Sequence, residues 1–248
     1  MIKHTKKIIF FIIVIFILII IAISNSTMPQ KPLDIHPIVQ EYLKAEHLEK
    51  CYITSMDNTS DISYTMKKQY ANNKEIQKYI DLQLETYGVS KITKDFLQQF
   101  YQLQTKEQFY EYAKKMVINQ KELNEYAKIK KTIEDTLITR ADFKLDKEQV
   151  SEFSILVVNE YEELAYSCGM DISTYATKVL NMDYNTTFFE HCYDKGSKYV
   201  KMYLIIGYLA QNQKISHANG DNIYDKYGYL HDKIISNYYI QEDGFLKE

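Results

Sequence analysis

The chain has 248 residues, 46% of them apolar and 25% charged, which excludes a wholly disordered protein and allows one large domain or two small ones. Seven glycines and three prolines leave little material for tight turns or phosphate loops, and this favours long helices over a many-stranded sheet. The net charge of −3 is uneven: the first 27 residues hold three lysines and no acid, so the rest stands at −6, and Arg140 is its single arginine, which excludes an ordinary nucleic-acid surface.

Residues 8–23 (IIFFIIVIFILIIIAI) contain no polar side chain and follow the basic segment 1–7. As a helix this run covers about 24 Å at 1.5 Å per residue, and flanking Lys and Ser side chains extend its reach. One N-terminal transmembrane helix over 8–24 is therefore expected. The basic flank places the N-terminus in the cytoplasm and the body outside the cell membrane, as a single-pass protein. Ala22-Ile23-Ser24 also fits a signal-peptidase cut, which would leave the body secreted. Residues 25–37 contain all three prolines and read as a linker.

The body is expected over 38–240, followed by a tail at 241–248. Pro37 suits a first helical turn, and the pattern runs as a helix to near Cys51. Residues 51–56 and 62–66 flank a polar turn, and alternation in Ile62, Tyr64 and Met66 allows either a small hairpin or an irregular connection. Ile76, Tyr79, Ile80, Leu84 and Tyr87 share one helical face that stops at Gly88. Thr93 opens a short helix, and Thr105 with Gln108 has the spacing of a capping box. A long helix then covers 106–137, with Phe109, Tyr112, Met116, Asn119, Leu123, Tyr126, Lys130, Ile133 and Leu137 forming a seam.

Asp146 with Gln149 opens the next helix, whose face Val150–Phe153–Val157–Tyr161–Leu164–Cys168 ends at Gly169. Asp171 caps a short helix over 172–180, and Asp183 the long one after it, with Phe188, Cys192, Tyr199, Val200, Tyr203 and Ile206 as its apolar stripe. A Tyr-rich helix over 223–240 closes the chain. The fold class is mainly α: an elongated multi-helix body with long helical arms.

Neither metal nor cofactor chemistry is indicated. The three cysteines lack CxxC spacing, though export would allow a Cys168–Cys192 disulfide. His191 adjoins Cys192, but neighbours on a helix point apart, so no thiol–imidazole nucleophile is expected. Glu162 and Glu163 read as a solvated face. No catalytic residue, cofactor or metal ligand is assigned, and the chain is not expected to be an enzyme.

An ordered series of landmarks resembles the C-terminal, substrate-cradling part of trigger factor. Thr93-Lys94-Asp95-Phe96 matches its entry, the helix from Lys106 its long helix, and Phe143 its extended link. Gly169-Met170 and Met182-Asp183 match two breaks, and Val200-Lys201-Met202-Tyr203-Leu204 the core of the final helix. The likeness spans roughly 93–215. Only residues 88–92 stand where that family carries its prolyl isomerase domain. The resemblance implies a chaperone-like protein that binds unfolded or newly exported polypeptides without catalysis, held at the membrane by its N-terminal helix. Tyr112, Tyr126, Tyr161, Phe188, Tyr199 and Tyr203 are the contacts it implies, since aromatic rings offer apolar area to many sequences. The alternative is a helical adaptor that binds one folded partner in the cell envelope.

Overall fold

The computed structural model describes residues 31–241. The segment 1–7, the expected membrane helix at 8–24, most of the linker and the tail from 242 lie outside the described residues. Among the described residues no helix is long and apolar enough to cross a membrane. From Asp34 the described residues form one compact unit.

That unit is mainly helical. Its helices are α1 (Pro37–Ala45), α2 (Asn73–Thr86), α3 (Lys94–Phe96), α4 (Lys106–Thr139), α5 (Lys147–Ser167), α6 (Ile172–Lys178), α7 (Thr187–Asn212) and α8 (Ile223–Ser236). A π-helical turn, Leu97–Tyr101, continues α3. Four short strands, β1 (Tyr52–Met56), β2 (Tyr64–Met66), β3 (Ala141–Lys144) and β4 (Tyr239–Gln241), complete it.

Local signals set most boundaries. Thr105 and Gln108 form the reciprocal capping box that opens α4, and Asn72 with Glu75 does the same for α2. Asp146 accepts from the Gln149 amide at α5, but the Gln149 side chain turns away to accept from the Lys50 amide (2.9 Å), so that box is only half formed. Asp171 caps α6, accepting from the Thr174 amide at 2.9 Å. Asp183 instead organises a preceding turn through the Asn185 amide and the Thr186 hydroxyl, and α7 begins at Thr187. Gly169 takes a φ of +67° just past the end of α5, as its position after the apolar face predicts.

Helix α7 is the centre of the unit. From Met202 to Ala210 it is buried almost all round, at Met202, Leu204, Ile205, Ile206, Gly207, Leu209 and Ala210. A helix apolar on every side requires partners on every side. Helices α1, α4, α5 and α8 supply them. Two glycines allow close approach: a side chain on Gly207 would meet Val39 and Ile35, and one on Gly196 would meet Ser154 of α5. His36, itself buried, locks α1 in place, with Nε2 donating to the Ile215 carbonyl (2.8 Å) and Nδ1 accepting from the Ile38 amide (3.3 Å).

Two smaller apolar clusters lie beyond this centre. Ile76, Ile80, Phe96, Leu97, Phe109 and Ala113 gather α2, α3 and the π-turn on the first turns of α4. Val157, Ala176, Phe188 and Cys192 join the second half of α5 to α6 and the start of α7. At 34 residues α4 is about 51 Å long. It is buried at Phe109 and Ala113, then again only at Ile129, Ile133 and Leu137. The expected continuous seam is therefore interrupted, and Leu123 at its middle is 62% exposed.

Of the two alternatives for 51–66, the hairpin is not formed, because β1 and β2 pair with other strands. β1 pairs antiparallel with β3, with an irregularity between Ile53 and Ser55, and β2 pairs parallel with β4. The only arginine holds the intervening loop. Arg140 grips Asp61 through both terminal nitrogens and reaches the Asn58 carbonyl at 2.9 Å. Three helices also end early. α1 stops at Ala45 because His47 adopts a φ of 56° and the Leu48 amide turns back to the Leu43 carbonyl. Asn181, at a φ of 55°, closes the turn after α6, and α8 gives way to β4.

Candidate functional site

The residues that sequence reasoning selected fall in separate places. Tyr112 packs on Tyr101 and Phe109 in the first satellite cluster. Tyr126 meets Tyr239 edge to face, and burial with the neighbouring Tyr239 pushes its phenol up to about 12. Phe188 is fully buried in the second cluster, where Tyr161 packs on it and shares a 2.8 Å hydrogen bond with His191. Only Tyr199 and Tyr203 come together at an open site.

That site is a cleft of about 420 Å³ where four helices meet. Helix α7 contributes Tyr199, Met202 and Tyr203, and α8 contributes Tyr227, Gly228, His231 and Asp232. Lys130 and Glu134 of α4 and Glu160 of α5 complete the lining. The aromatic wall is continuous: Tyr203 meets Tyr227 edge to face at 4.9 Å, and behind it stand Tyr42 and Phe153. Burial raises the phenols of Tyr203 and Tyr227 well above the usual tyrosine range. Tyr42 and Tyr199 are raised for the same leading reason, Tyr199 against the pull of nearby Lys195. These rings are therefore neutral at any ordinary pH.

The polar groups are paired across helices. Both ring nitrogens of His231 face carboxylates, Nε2 to Glu134 at 3.1 Å and Nδ1 to Asp232 at 3.3 Å. Lys130 stands 3.5 Å from Asp232, and Lys195 bonds Glu160 at 3.0 Å while lying over the Tyr161 and Tyr199 rings. Burial alone would lower the Lys195 ammonium; Glu160 and Tyr199 outweigh it and raise it to about 12.

Sequence reasoning missed His231, Asp232, Glu134 and Gly228. The available signal was Gly228, a glycine inside an otherwise helical, Tyr-rich pattern, followed by His231-Asp232 one turn on.

A second, shallower cavity of about 520 Å³ lies where α5 ends. It is lined by Glu162, Glu163, Tyr166, Met170, Asp171 and Ile172, with Tyr166 86% exposed. The glutamates read as a solvated face thus border apolar surface.

Cys192 and Cys51 are buried, and burial raises both thiols, while Cys168 is exposed. All three are free, so the Cys168–Cys192 disulfide that export would allow is not formed in this structure. Among the described residues no group of three or more His, Cys, Asp or Glu side chains is placed to hold a metal ion. Comparison of the chain with protein-family models, with curated proteins and with solved structures finds no match.

Proposed function

We propose that the chain is a chaperone-like protein that binds non-native polypeptide without catalysis, as its resemblance to the C-terminal part of trigger factor implies. One observation carries this reading. Both satellite clusters leave large apolar side chains uncovered: Leu82, Tyr87 and Phe100 beside the first, and Leu164, Tyr166, Met170, Val179 and Phe189 beside the second. The two clusters are separate, so these apolar groups are not gathered at one place. Apolar side chains exposed in groups rather than singly support reading these faces as interaction surfaces. The contacts then fall on these residues more than on the six aromatics that the resemblance implied. The apolar run at 8–23 would hold the body at the outer face of the membrane, where newly exported chains emerge.

A specific observation favours a second reading, an adaptor with one folded partner. Tyr42, Tyr203 and Tyr227 close on each other and Phe188 is sealed, so much of the aromatic content is spent on internal packing.

The test uses the purified full-length chain in mild detergent, with detergent alone as control. Near-stoichiometric protein should slow aggregation of several unrelated unfolded clients, and Tyr166→Ser with Phe189→Ser should weaken this. No effect on any client, with capture of one stoichiometric partner from membranes, would replace the chaperone by the adaptor.

A further inference from the structure

We propose that the cleft between α4, α5, α7 and α8 is a binding site for a small, uncharged aromatic compound carrying one hydrogen-bonding oxygen. The proposal stands on the cleft's own construction and is independent of polypeptide binding.

Charge is the first argument. Each carboxylate of the cleft already has a partner: Glu134 faces His231 at 3.1 Å, Asp232 faces Lys130 at 3.5 Å and Glu160 bonds Lys195 at 3.0 Å. The two ammonium groups are thereby occupied as well. An ionic ligand would leave water for a site with no free counter-charge, or would displace one of these partners, and either weakens binding. A neutral ligand disturbs none of them.

Tyr227 is the second. Its ring packs on Tyr42, Tyr203 and His231, yet among the described residues its hydroxyl has no hydrogen-bond partner. Enclosed phenols normally find one. Tyr161 meets His191 at 2.8 Å, and Tyr238 meets Thr59 at 2.9 Å. Burial chiefly, then Tyr42, Glu134 and Asp232, keeps the Tyr227 phenol protonated, so it lines the cleft as a neutral donor. A ligand oxygen accepting from it would supply the missing bond.

The apolar wall is the third. Tyr203, Tyr227 and Met202 line the cleft together, and phenol rings and a thioether make favourable contacts with another ring. Gly228 keeps that wall open. It lies inside α8 without a positive φ, and an added Cβ would meet nothing within 4 Å, so a longer side chain would project into the cleft. The volume of about 420 Å³ is within the range of small-molecule sites.

Isothermal titration of the full chain in mild detergent, with detergent alone subtracted, tests this. It compares 2-phenylethanol with 2-phenylethylamine and phenylacetate, which carry the same ring with a positive or a negative charge. The alcohol should bind saturably, and both ions at least about tenfold more weakly. Tyr227→Phe removes only the unpartnered hydroxyl, so it should keep the fold and weaken the alcohol by about three- to tenfold. Gly228→Leu should abolish alcohol binding by filling the cleft, with its fold checked by circular dichroism. Should that variant misfold, Tyr227→Phe decides in its place. No saturable alcohol binding, equal or tighter binding of either ion, unchanged alcohol affinity in Tyr227→Phe, or unchanged binding in a folded Gly228→Leu would each overturn the proposal.

Discussion

At the scale of the residue, two glycines inside helices are expected to respond oppositely to the same change. A methyl group on Gly196 would stand 2.5 Å from the Ser154 hydroxyl and 3.3 Å from its Cα. The hydroxyl is held by a 2.6 Å bond to the Val150 carbonyl, so it does not yield freely. Gly196→Ala should therefore destabilise by about 1–3 kcal/mol as α5 and α7 are forced apart. Gly228→Ala meets open space and should stabilise by about 1 kcal/mol through helix propensity alone. Urea denaturation of the two variants reads both signs. The buried phenols give a further expectation. Tyr42, Tyr203 and Tyr227 are raised in the folded state, so the unfolded chain loses these protons first. Their contribution is thus complete below the unfolded value of about 10 and declines as pH rises above it. Phenolate absorbance in an alkaline titration should show these rings ionising only together with unfolding, and Tyr203→Phe should move that transition to higher pH.

At the scale of the element, α4 shows how burial and periodicity part company. Its 3- and 4-residue spacing runs unbroken, yet Leu123 is 62% exposed and Ile133 is fully buried. Leu123→Ala should change stability by less than about 0.5 kcal/mol, whereas Ile133→Ala should cost about 2–5 kcal/mol; thermal melts of the pair distinguish them. Periodicity reports which side chains share a face, but whether a partner lies opposite depends on the rest of the fold. The same limit applies to the hairpin that alternation allowed. β1 and β2 alternate as strands do, and their partners are supplied by segments far along the chain, at 141–144 and 239–241. Pairing of that kind leaves no turn signal between neighbouring strands. Caps behave differently because they are local: Thr105 and Asp171 act within three residues, and both are legible in the sequence. The cleft was mostly illegible, since α4, α5, α7 and α8 each contribute a few side chains and only Tyr199 and Tyr203 stood out.

At the scale of the whole molecule, the separation of apolar clusters bears on how the protein opens. The first satellite is built from Ile76, Ile80, Phe96, Leu97, Phe109 and Ala113. None of these residues belongs to α7, and the cluster's helical support is the N-terminal end of α4. Between Ala113 and Ile129 no residue of α4 is fully buried. Damage to the satellite therefore has no well-packed route to the centre, and regions joined this loosely open as separate units. Ile80→Ala removes a side chain that is 3% exposed and should cost the satellite about 2–5 kcal/mol. Hydrogen exchange should then show amides of α2, the π-turn and the first turns of α4 exchanging faster, with α7 and α8 unchanged. Uniform acceleration across α7 as well would mean that the clusters unfold as one. The exposed Leu82, Tyr87 and Phe100 lie on the unit expected to open first, so its opening would enlarge the exposed apolar surface.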